Sequence, residues 1–561
     1  MHKILLLATV LATACGLAQD ESDPRVRSYV SPVRIVTQTE AVASATLLMP
    51  RHGQVPEGRF LAGSGCLLDA AKGSSLVLDF GREHHGGLVI GNGAAGRGAK
   101  VRVRFGESVA ETMAELGEKG AQNDHALRDF VIELPWLGTR EVGNSGFRFV
   151  RLDAVAGTPD LQSVRAVSLM RPMVRLGGFK SSDPRLNAVF NTAVRTVHLC
   201  CQDYLWDGIK RDRLVWMGDT HPETMAILPV FGAADVLPKS LDYMAATTPA
   251  DAWMNTMPTY TLWWIRNLAE WYRYTGDLVY LKEHAAYLAA TFDHVLSGMK
   301  DGQWTAGNFL DWPTEHDPIA ATAGTQALAL ITARETAFLA EALGDATLKQ
   351  KAENLAAQLA KLAPDPHGAK SAAALLALSG LRTPQAMYAD VLSQNGHTGV
   401  STFYGYYMLE AMSAAGEQKR ALATARDYWG GMLDMGATSF WEDFNLAWTN
   451  NAFRVDQLPV PGKKDVHGDY GEFCYKGFRH SLCHGWAAGP AAWCINSVLG
   501  IRPVGVGAKQ FEIAPDLGDL DWAEGAYALP DGRRLAVKVT RKDGKLDIAV
   551  QAPEDIVWKI R

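Results

Sequence analysis

Apolar residues recur at two different periods along this chain, and the change of period divides it. From 28 to 175 they fall in short alternating runs such as Ser75-Leu-Val-Leu-Asp79, Gly87-Leu-Val-Ile90 and Lys100-Val-Arg-Val-Arg-Phe105. Gly-rich turns such as Gly93-Ala-Ala-Gly-Arg-Gly98 separate them, and Phe147-Arg-Phe-Val-Arg-Leu152 alternates apolar with basic residues, as a half-buried strand does. The spacing predicts an N-terminal antiparallel β-sandwich. Asp79, His84, His85 and Glu107 are its polar residues, and they read as structural. At Asp183-Pro184 the period becomes helical, with Asp183 as cap and Pro184 in the first turn. Amphipathic helices rich in Ala and Leu are expected from 176 to 500. Gly276-Asp277 and Gly344-Asp345 each end one helix and cap the next. Repeated helix hairpins of this kind predict either a closed double-layered helical barrel or an α-solenoid. From 501 to 561 the period returns to two, in Arg534-Leu-Ala-Val-Lys-Val-Thr540 and Lys545-Leu-Asp-Ile-Ala-Val550, which predicts a small C-terminal β domain.

Composition narrows the class of protein. The 561 residues are 47% hydrophobic and 21% charged with net charge −6, so no electrostatic reason to bind nucleic acid exists. The first 18 residues carry Lys3 and an apolar run from Ile4 to Ala14 that is too short to span a bilayer, which predicts a secretory signal. Leu11-Ala-Thr-Ala-Cys15 resembles a lipoprotein signal that would leave Cys15 lipidated, whereas cleavage after Gly16-Leu-Ala18 would release Gln19. Both readings put the mature chain outside the cytoplasm, either periplasmic or anchored to the outer membrane. The six other cysteines, Cys66, Cys200, Cys201, Cys474, Cys483 and Cys494, show no metal spacing and read as buried small apolar residues. No metal or other cofactor is expected, and the sequence leaves the oligomeric state open.

Candidate chemistry concentrates in 206–223, Trp-Asp-Gly-Ile-Lys-Arg-Asp-Arg-Leu-Val-Trp-Met-Gly-Asp-Thr-His-Pro-Glu. Four carboxylates (Asp207, Asp212, Asp219, Glu223) alternate there with Lys210, Arg211, Arg213, Trp206 and Trp216. The stretch fits neither period and reads as a loop entering a helix. Acids, bases and indoles together suit a site that hydrogen-bonds a polyol and lays its apolar face on a ring; the competing reading is an ion-pair-rich surface turn. Three further loops add Asp311-Trp312, Trp441-Glu442-Asp443 and His484. A reaction that needs paired carboxylates beside Trp and Arg is glycosidic bond cleavage, in which one acid protonates the leaving oxygen and a second activates water or attacks carbon.

These motifs resemble the bacterial α-L-rhamnosidases of glycoside hydrolase family 78. Leu78-Asp-Phe-Gly81, Phe105-Gly-Glu107 and Gly146-Phe-Arg-Phe149 match in the β domain, and Leu499-Gly-Ile501 opens the last domain. The family signature Asp-Cys-Pro-Gln-Arg-Asp-Glu-Arg-Leu-Gly-Trp-Thr-Gly-Asp is similar to Asp207-Gly-Ile-Lys-Arg211-Asp212-Arg213-Leu-Val-Trp216-Met-Gly218-Asp219. The resemblance implies a central (α/α)6 barrel, a C-terminal β-sandwich and a substrate with terminal rhamnose, hydrolysed with inversion. It implies that Asp207, Arg211, Trp216 and Asp219 hold the sugar, that Trp312 lines the pocket beside Asp311, and that His484 hydrogen-bonds it. Glu442 would be the general base. The Glu that serves as general acid in the family is absent here, because the stretch is one residue shorter. Asp212 and Glu223 are the replacements to weigh, against loss of turnover. Another (α/α)6 exo-glycosidase, of α-L-fucosidase or glucuronyl hydrolase type, and a non-catalytic carbohydrate-binding homologue stay open as alternatives.

Overall fold

The computed structural model describes residues 23–50, 65–307, 309–473 and 475–561. The expected signal segment 1–18 with Cys15, and Cys474, lie outside the described residues. Eight strands form the N-terminal part: β1 (Val26–Val30), β2 (Arg34–Gln38), β3 (Cys66–Leu67), β4 (Ser75–Asn92), β5 (Lys100–Gly106), β6 (Asp129–Glu133), β7 (Gly138–Ala156) and β8 (Asp160–Met170). They are ordered β1-β8-β4-β7-β5-β6, with β2 also on β4 and β3 on β8. Every pairing among them is antiparallel. The faces of the expected sandwich are therefore one continuous sheet. Its ladder between β4 and β7 breaks after Asp79 and again after Gly86, and such irregularities bend long strands. The first half of β4 pairs with β2 and the second with β8, so Leu76 and Leu78 face the same core as Leu88 and Ile90. Gly86 sits at the second break with φ 140°, where a Cβ would meet the Val167 carbonyl oxygen at 2.1 Å. A side chain there would force the two strands apart.

A one-turn helix, α1 (Val109–Met113), follows β5 and is capped by Ser108. Strand β9 (Gly178–Ser181) then leads into the helices. In α2 (Pro184–Cys200) the Asp183 carboxylate accepts from the N–H groups of Arg185 and Leu186. Next come α3 (Met217–Phe231), α4 (Val236–Thr247), α5 (Pro258–Thr275), α6 (Ala285–Ser297), α7 (Pro318–Leu343), α8 (Ala346–Leu359), α9 (Lys370–Ser379), α10 (Gly405–Ala414), α11 (Gln418–Thr424) and α12 (Gly489–Trp493). Helices α3, α5, α7, α9, α10 and α12 pack each on the next, and α12 packs back on α3. Burial separates these from the helices laid against them. The buried residues of α7 run almost continuously from Ala320 to Ala333, whereas α8 buries only the stripe Leu348, Ala352, Leu355 and Leu359. A helix apolar on one stripe covers a core; one buried all round is inside it. Both Gly-Asp junctions close as the local chemistry requires. Gly276 (φ 70°) and Gly344 (φ 71°) end their helices left-handed, and Asp277 and Asp345 accept from the N–H of Tyr280 and Leu348.

The C-terminal part holds β10 (Ile501–Pro503), β11 (Gln510–Ile513), β12 (Trp522–Ala528), β13 (Arg534–Lys542), β14 (Lys545–Gln551) and β15 (Val557–Ile560). One sheet is β10-β11-β15 and the other is β14-β13-β12-β9. Strand β9, from before the helices, thus completes the sheet formed after them. Cys66, Cys200, Cys201, Cys483 and Cys494 are buried free thiols. Among the described residues no helix is long and apolar enough to cross a membrane.

Candidate functional site

The 207–214 stretch is a closed loop on the approach to α3. Asp207 N–H donates to the Leu214 carbonyl (3.1 Å), and Asp207 Oδ1 accepts from Leu214 N–H (2.9 Å). Inside it Asp212 (φ 52°) and Arg213 (φ 56°) are left-handed, and Arg213 N–H donates to the Arg211 carbonyl at 2.7 Å. Two consecutive non-glycine residues in that region are uncommon, and they stand where the family signature is one residue longer. The loop is joined to 483–485: Gly208 bridges His484, and Gly485 N–H donates to the Asp207 carbonyl at 2.6 Å.

Three charged groups from three segments meet here. Asp219, in the first turn of α3, takes His484 Nε2 on Oδ1 (3.0 Å) and the Tyr260 hydroxyl on Oδ2 (3.2 Å). On the other side of the ring, His484 Nδ1 lies 3.6 Å from Glu442 Oε1. Glu442 is fixed by its own backbone and carboxylate: Ser481 N–H donates to Oε2 (3.2 Å), Glu442 N–H donates to the Ser481 carbonyl (3.0 Å), and the Trp486 indole donates to the Glu442 carbonyl (2.9 Å). Burial opposes charge on His484, but Glu442, Asp219 and Asp207 outweigh it and lift the imidazole to about 9. Burial pushes the carboxyls of Asp207, Asp219 and Glu223 upward.

Arg211 and Trp216, close to Glu442 and to Tyr260 respectively, carry unspent donors. Arg211 gives Nη2 to Asp212 Oδ1 at 2.7 Å and lies 4.1 Å over the Tyr475 ring, but its Nε and Nη1 are buried and unpartnered. Trp216 Nε1 is in the same state. An unsatisfied buried donor costs about 1–3 kcal/mol, and the hydroxyls of a sugar are the complement of such donors. Trp312 stacks on Phe473 (5.8 Å, 26°) and stands edge-on to Tyr475 (6.0 Å). Asp311 is committed elsewhere. Its Oδ1 accepts from Thr314 N–H (3.2 Å), Thr314 Oγ1 (2.6 Å) and Ser371 Oγ (3.2 Å), and its Oδ2 accepts from Ser401 Oγ (3.2 Å). It shapes the turn that presents Trp312.

The two candidate acids differ in surroundings. Asp212 lies between Arg211 and His125, a residue of the N-terminal β domain; Asp212 N–H donates to His125 Nδ1 at 3.0 Å, and Oδ1 is 3.3 Å from that nitrogen. Glu223 follows Asp219 by one helical turn and is fully buried, with neither oxygen hydrogen-bonded. The Gly485 main chain covers it so closely that a Cβ there would meet Oε1 at 1.5 Å. Sequence reasoning missed His125, Phe473, Tyr475 and Tyr260 as parts of this site. Tyr260, Phe473 and Tyr475 are aromatic residues of the kind that lines sugar sites, whereas His125 carried no signal.

Among the described residues, Glu107, Glu111 and His467 bring ligand atoms within 4.8 Å of one another, as a metal would require. Both His467 ring nitrogens are already engaged, Nδ1 with Ser108 Oγ (2.8 Å) and Nε2 with the His480 carbonyl (3.0 Å). The Lys210 ammonium, 2.9 Å from Glu107 Oε2, supplies the positive charge there.

Comparison with known proteins gives this geometry a context. Residues 174–498 match the model of the bacterial alpha-L-rhamnosidase 6 hairpin glycosidase domain. No curated protein sequence matches the chain significantly. Among solved structures, the GH78 family rhamnosidase of Bacillus sp. GL1 is 22% identical, covers 87% of this chain and superposes with a TM-score of 0.69. The chain spans 53% of that protein's length. A rhamnosidase from Klebsiella oxytoca with rhamnose bound is 20% identical with a TM-score of 0.64, over 84% of this chain and 96% of that one. The Streptomyces avermitilis α-L-rhamnosidase complexed with L-rhamnose is 17% identical with a TM-score of 0.69, over 96% and 50% respectively. At such identities the likeness is one of fold; the domain match covers more than half of the sequence. The chain belongs to the bacterial α-L-rhamnosidase family.

Proposed function

We propose that this protein is an exported exo-glycosidase that hydrolyses terminal α-L-rhamnosyl linkages of oligosaccharides, polysaccharides or glycosides with inversion. In this reading the closed ring of six helices is the inner layer of an (α/α)6 barrel. The observation that carries the reading is Asp219–His484–Glu442, set beside the free donors of Arg211 and Trp216. Glu442 takes a proton from water as its oxygen bonds to the anomeric carbon. The glycosidic oxygen leaves with the bonding pair and receives a proton from a donor on the other side of the sugar. Arg211 and Trp216 donate to sugar hydroxyls, Trp312 lies against the apolar face, and Asp207 and Asp219 hold the pocket in shape. Asp212 is the donor that this loop offers.

Glu442→Gln is expected to lower turnover of an aryl α-L-rhamnoside about 10²–10⁴-fold while rhamnose still binds by calorimetry; unchanged turnover would sink the base assignment. NMR of the first-formed product is expected to show the anomer opposite to the substrate, and retention would exclude the inverting mechanism. Parallel assays on aryl α-L-fucoside and unsaturated glucuronide separate this reading from other exo-glycosidases.

A second reading rests on one observation: the Asp212 side chain is tied down, with Oδ1 2.7 Å from Arg211 Nη2 and 3.3 Å from His125 Nδ1. A loop tied in this way suits a carbohydrate-binding protein with little or no turnover. Saturable rhamnose binding without hydrolysis would establish it.

A further inference from the structure

Lys210 and Glu107 lie outside the sugar-facing set, yet they join the signature loop to the segment that carries Glu442's partners. Lys210, 8% exposed, directs its ammonium to the carbonyls of His480 (2.6 Å) and Phe478 (2.9 Å) and to Glu107 Oε2 (2.9 Å), with Glu111 Oε1 at 3.4 Å. These acceptors saturate its three N–H groups. Glu107 closes β5 in the N-terminal domain, and its Oε2 also accepts from Leu482 N–H at 2.6 Å. Residues 480–484 are therefore gripped from one side by Lys210 and Glu107. On the other side they run along 439–443. Ser439 Oγ donates to the Leu482 carbonyl (2.8 Å), His484 N–H to the Phe440 carbonyl (2.9 Å), and Asp443 N–H to His480 Nε2 (2.9 Å). Within this strap Ser481 N–H holds Glu442 Oε2, and His484 stands against Glu442 and Asp219.

We propose that Glu107 and Lys210 are positioning residues for the hydrolytic reaction: a buried ion pair across the β and helical domains that sets the 480–484 strap, and through it the Glu442 carboxylate and the His484 ring. The proposal rests on the rhamnosidase reading for its kinetic consequence but not for its geometric one. Glu107 never meets the sugar. It gives the N-terminal sheet a part in catalysis that a covering domain would not have. A misplacement of about 1 Å at a catalytic group costs on the order of 10²-fold in rate, so a strap set from outside the pocket is a sensitive point.

The test uses Glu107→Gln in the full chain, because the amide keeps the size of Glu107 but removes the charge that Lys210 pairs with. Lys210→Met is the harsher variant and serves where it folds. A control, Asp153→Asn, breaks the Arg104–Asp153 pair of the same β domain (2.8 Å) without touching the strap. Glu107→Gln is expected to lower kcat on aryl α-L-rhamnoside about 10–100-fold with KM within about threefold, while the control keeps kcat within about twofold. A second measurement needs no substrate. The His484 imidazole, followed by NMR in histidine-labelled protein, is expected to titrate lower in Glu107→Gln than in the parent, since a slackened strap moves it from Glu442 and Asp219. A kcat loss no larger than the control's, or an unmoved His484 titration, would overturn the proposal. If the parent protein hydrolyses no rhamnoside, that reading falls alone, and the His484 titration still decides the positioning role.

Discussion

Asp207, Asp219 and Glu223 crowd the approach to and first turns of α3, and burial has driven each upward; Asp219 and Asp207 add repulsion to Glu223. A carboxyl with no hydrogen-bond partner and no exposure is shifted toward its protonated form, because a bare buried charge is far costlier than a bound proton. Glu223→Gln, its neutral isostere, is accordingly expected to keep turnover within about threefold and to leave the melting temperature unchanged or higher. A loss of 10²-fold or more, steepest for poor leaving groups, would make Glu223 the proton donor instead. The same leaving-group comparison on Asp212→Asn measures whether Asp212 fills that place. His484 works in the opposite electrostatic sense. Its folded value of about 9 lies above the ordinary 6.5. The stabilisation from its charge is therefore complete below about 6.5 and is lost as pH rises through about 9, with a slope of at most about 1.4 kcal/mol per pH unit for one proton. Urea denaturation between pH 7 and 10 is expected to show this decline, and His484→Gln to flatten it.

At the scale of elements, what was legible in the sequence was what is local. Asp183-Pro184, Gly276-Asp277 and Gly344-Asp345 fold as caps because each satisfies backbone groups within four residues. The alternating runs were legible as strands because residues two apart share a face, a pattern that a short window contains. The return of β4 over its own core and the closure of α12 on α3 depend on pairings that no short window contains. His125 reaches Asp212 from 87 residues away, and Glu107 reaches Leu482 from 375 away; the motif Phe105-Gly-Glu107 marks Glu107 but not its partner, and nothing marks His125. The signature stretch was legible as chemistry, but its left-handed pair Asp212–Arg213 was not, since only the folded loop shows it. Two glycines separate local from tertiary demand. Gly344→Ala is expected to cost about 1–2 kcal/mol in urea unfolding, from φ 71° alone, since a Cβ there meets nothing within 4 Å. Gly485→Ala has no such conformational strain, yet its methyl would overlap Glu223; it is expected to cost 1–3 kcal/mol by overpacking and to lower turnover by displacing His484.

At the scale of the whole molecule, the site is made by more than the helical segment. The N-terminal domain supplies His125 and Glu107, from segments flanking its strands, and its buried Asp79 binds Arg148, which donates to the Gly436 carbonyl just before the Glu442 segment. Strand β9 has a different role, because it lies in a sheet whose other members come some 340 residues later in the chain: Ala523 pairs with Ser181 and Ala526 with Gly178. During synthesis that strand must wait, with its hydrogen-bonding edge open, until the last helices have been made. The helical ring thus receives its final clasp only when the chain is nearly finished, and pairings of such long separation form slowly. A chain stopped at residue 500 leaves an unclosed edge at the base of α2, and such an edge is an invitation to pair with another molecule. Truncation there is expected to produce aggregate rather than a smaller enzyme, as sedimentation of the expressed fragment would reveal.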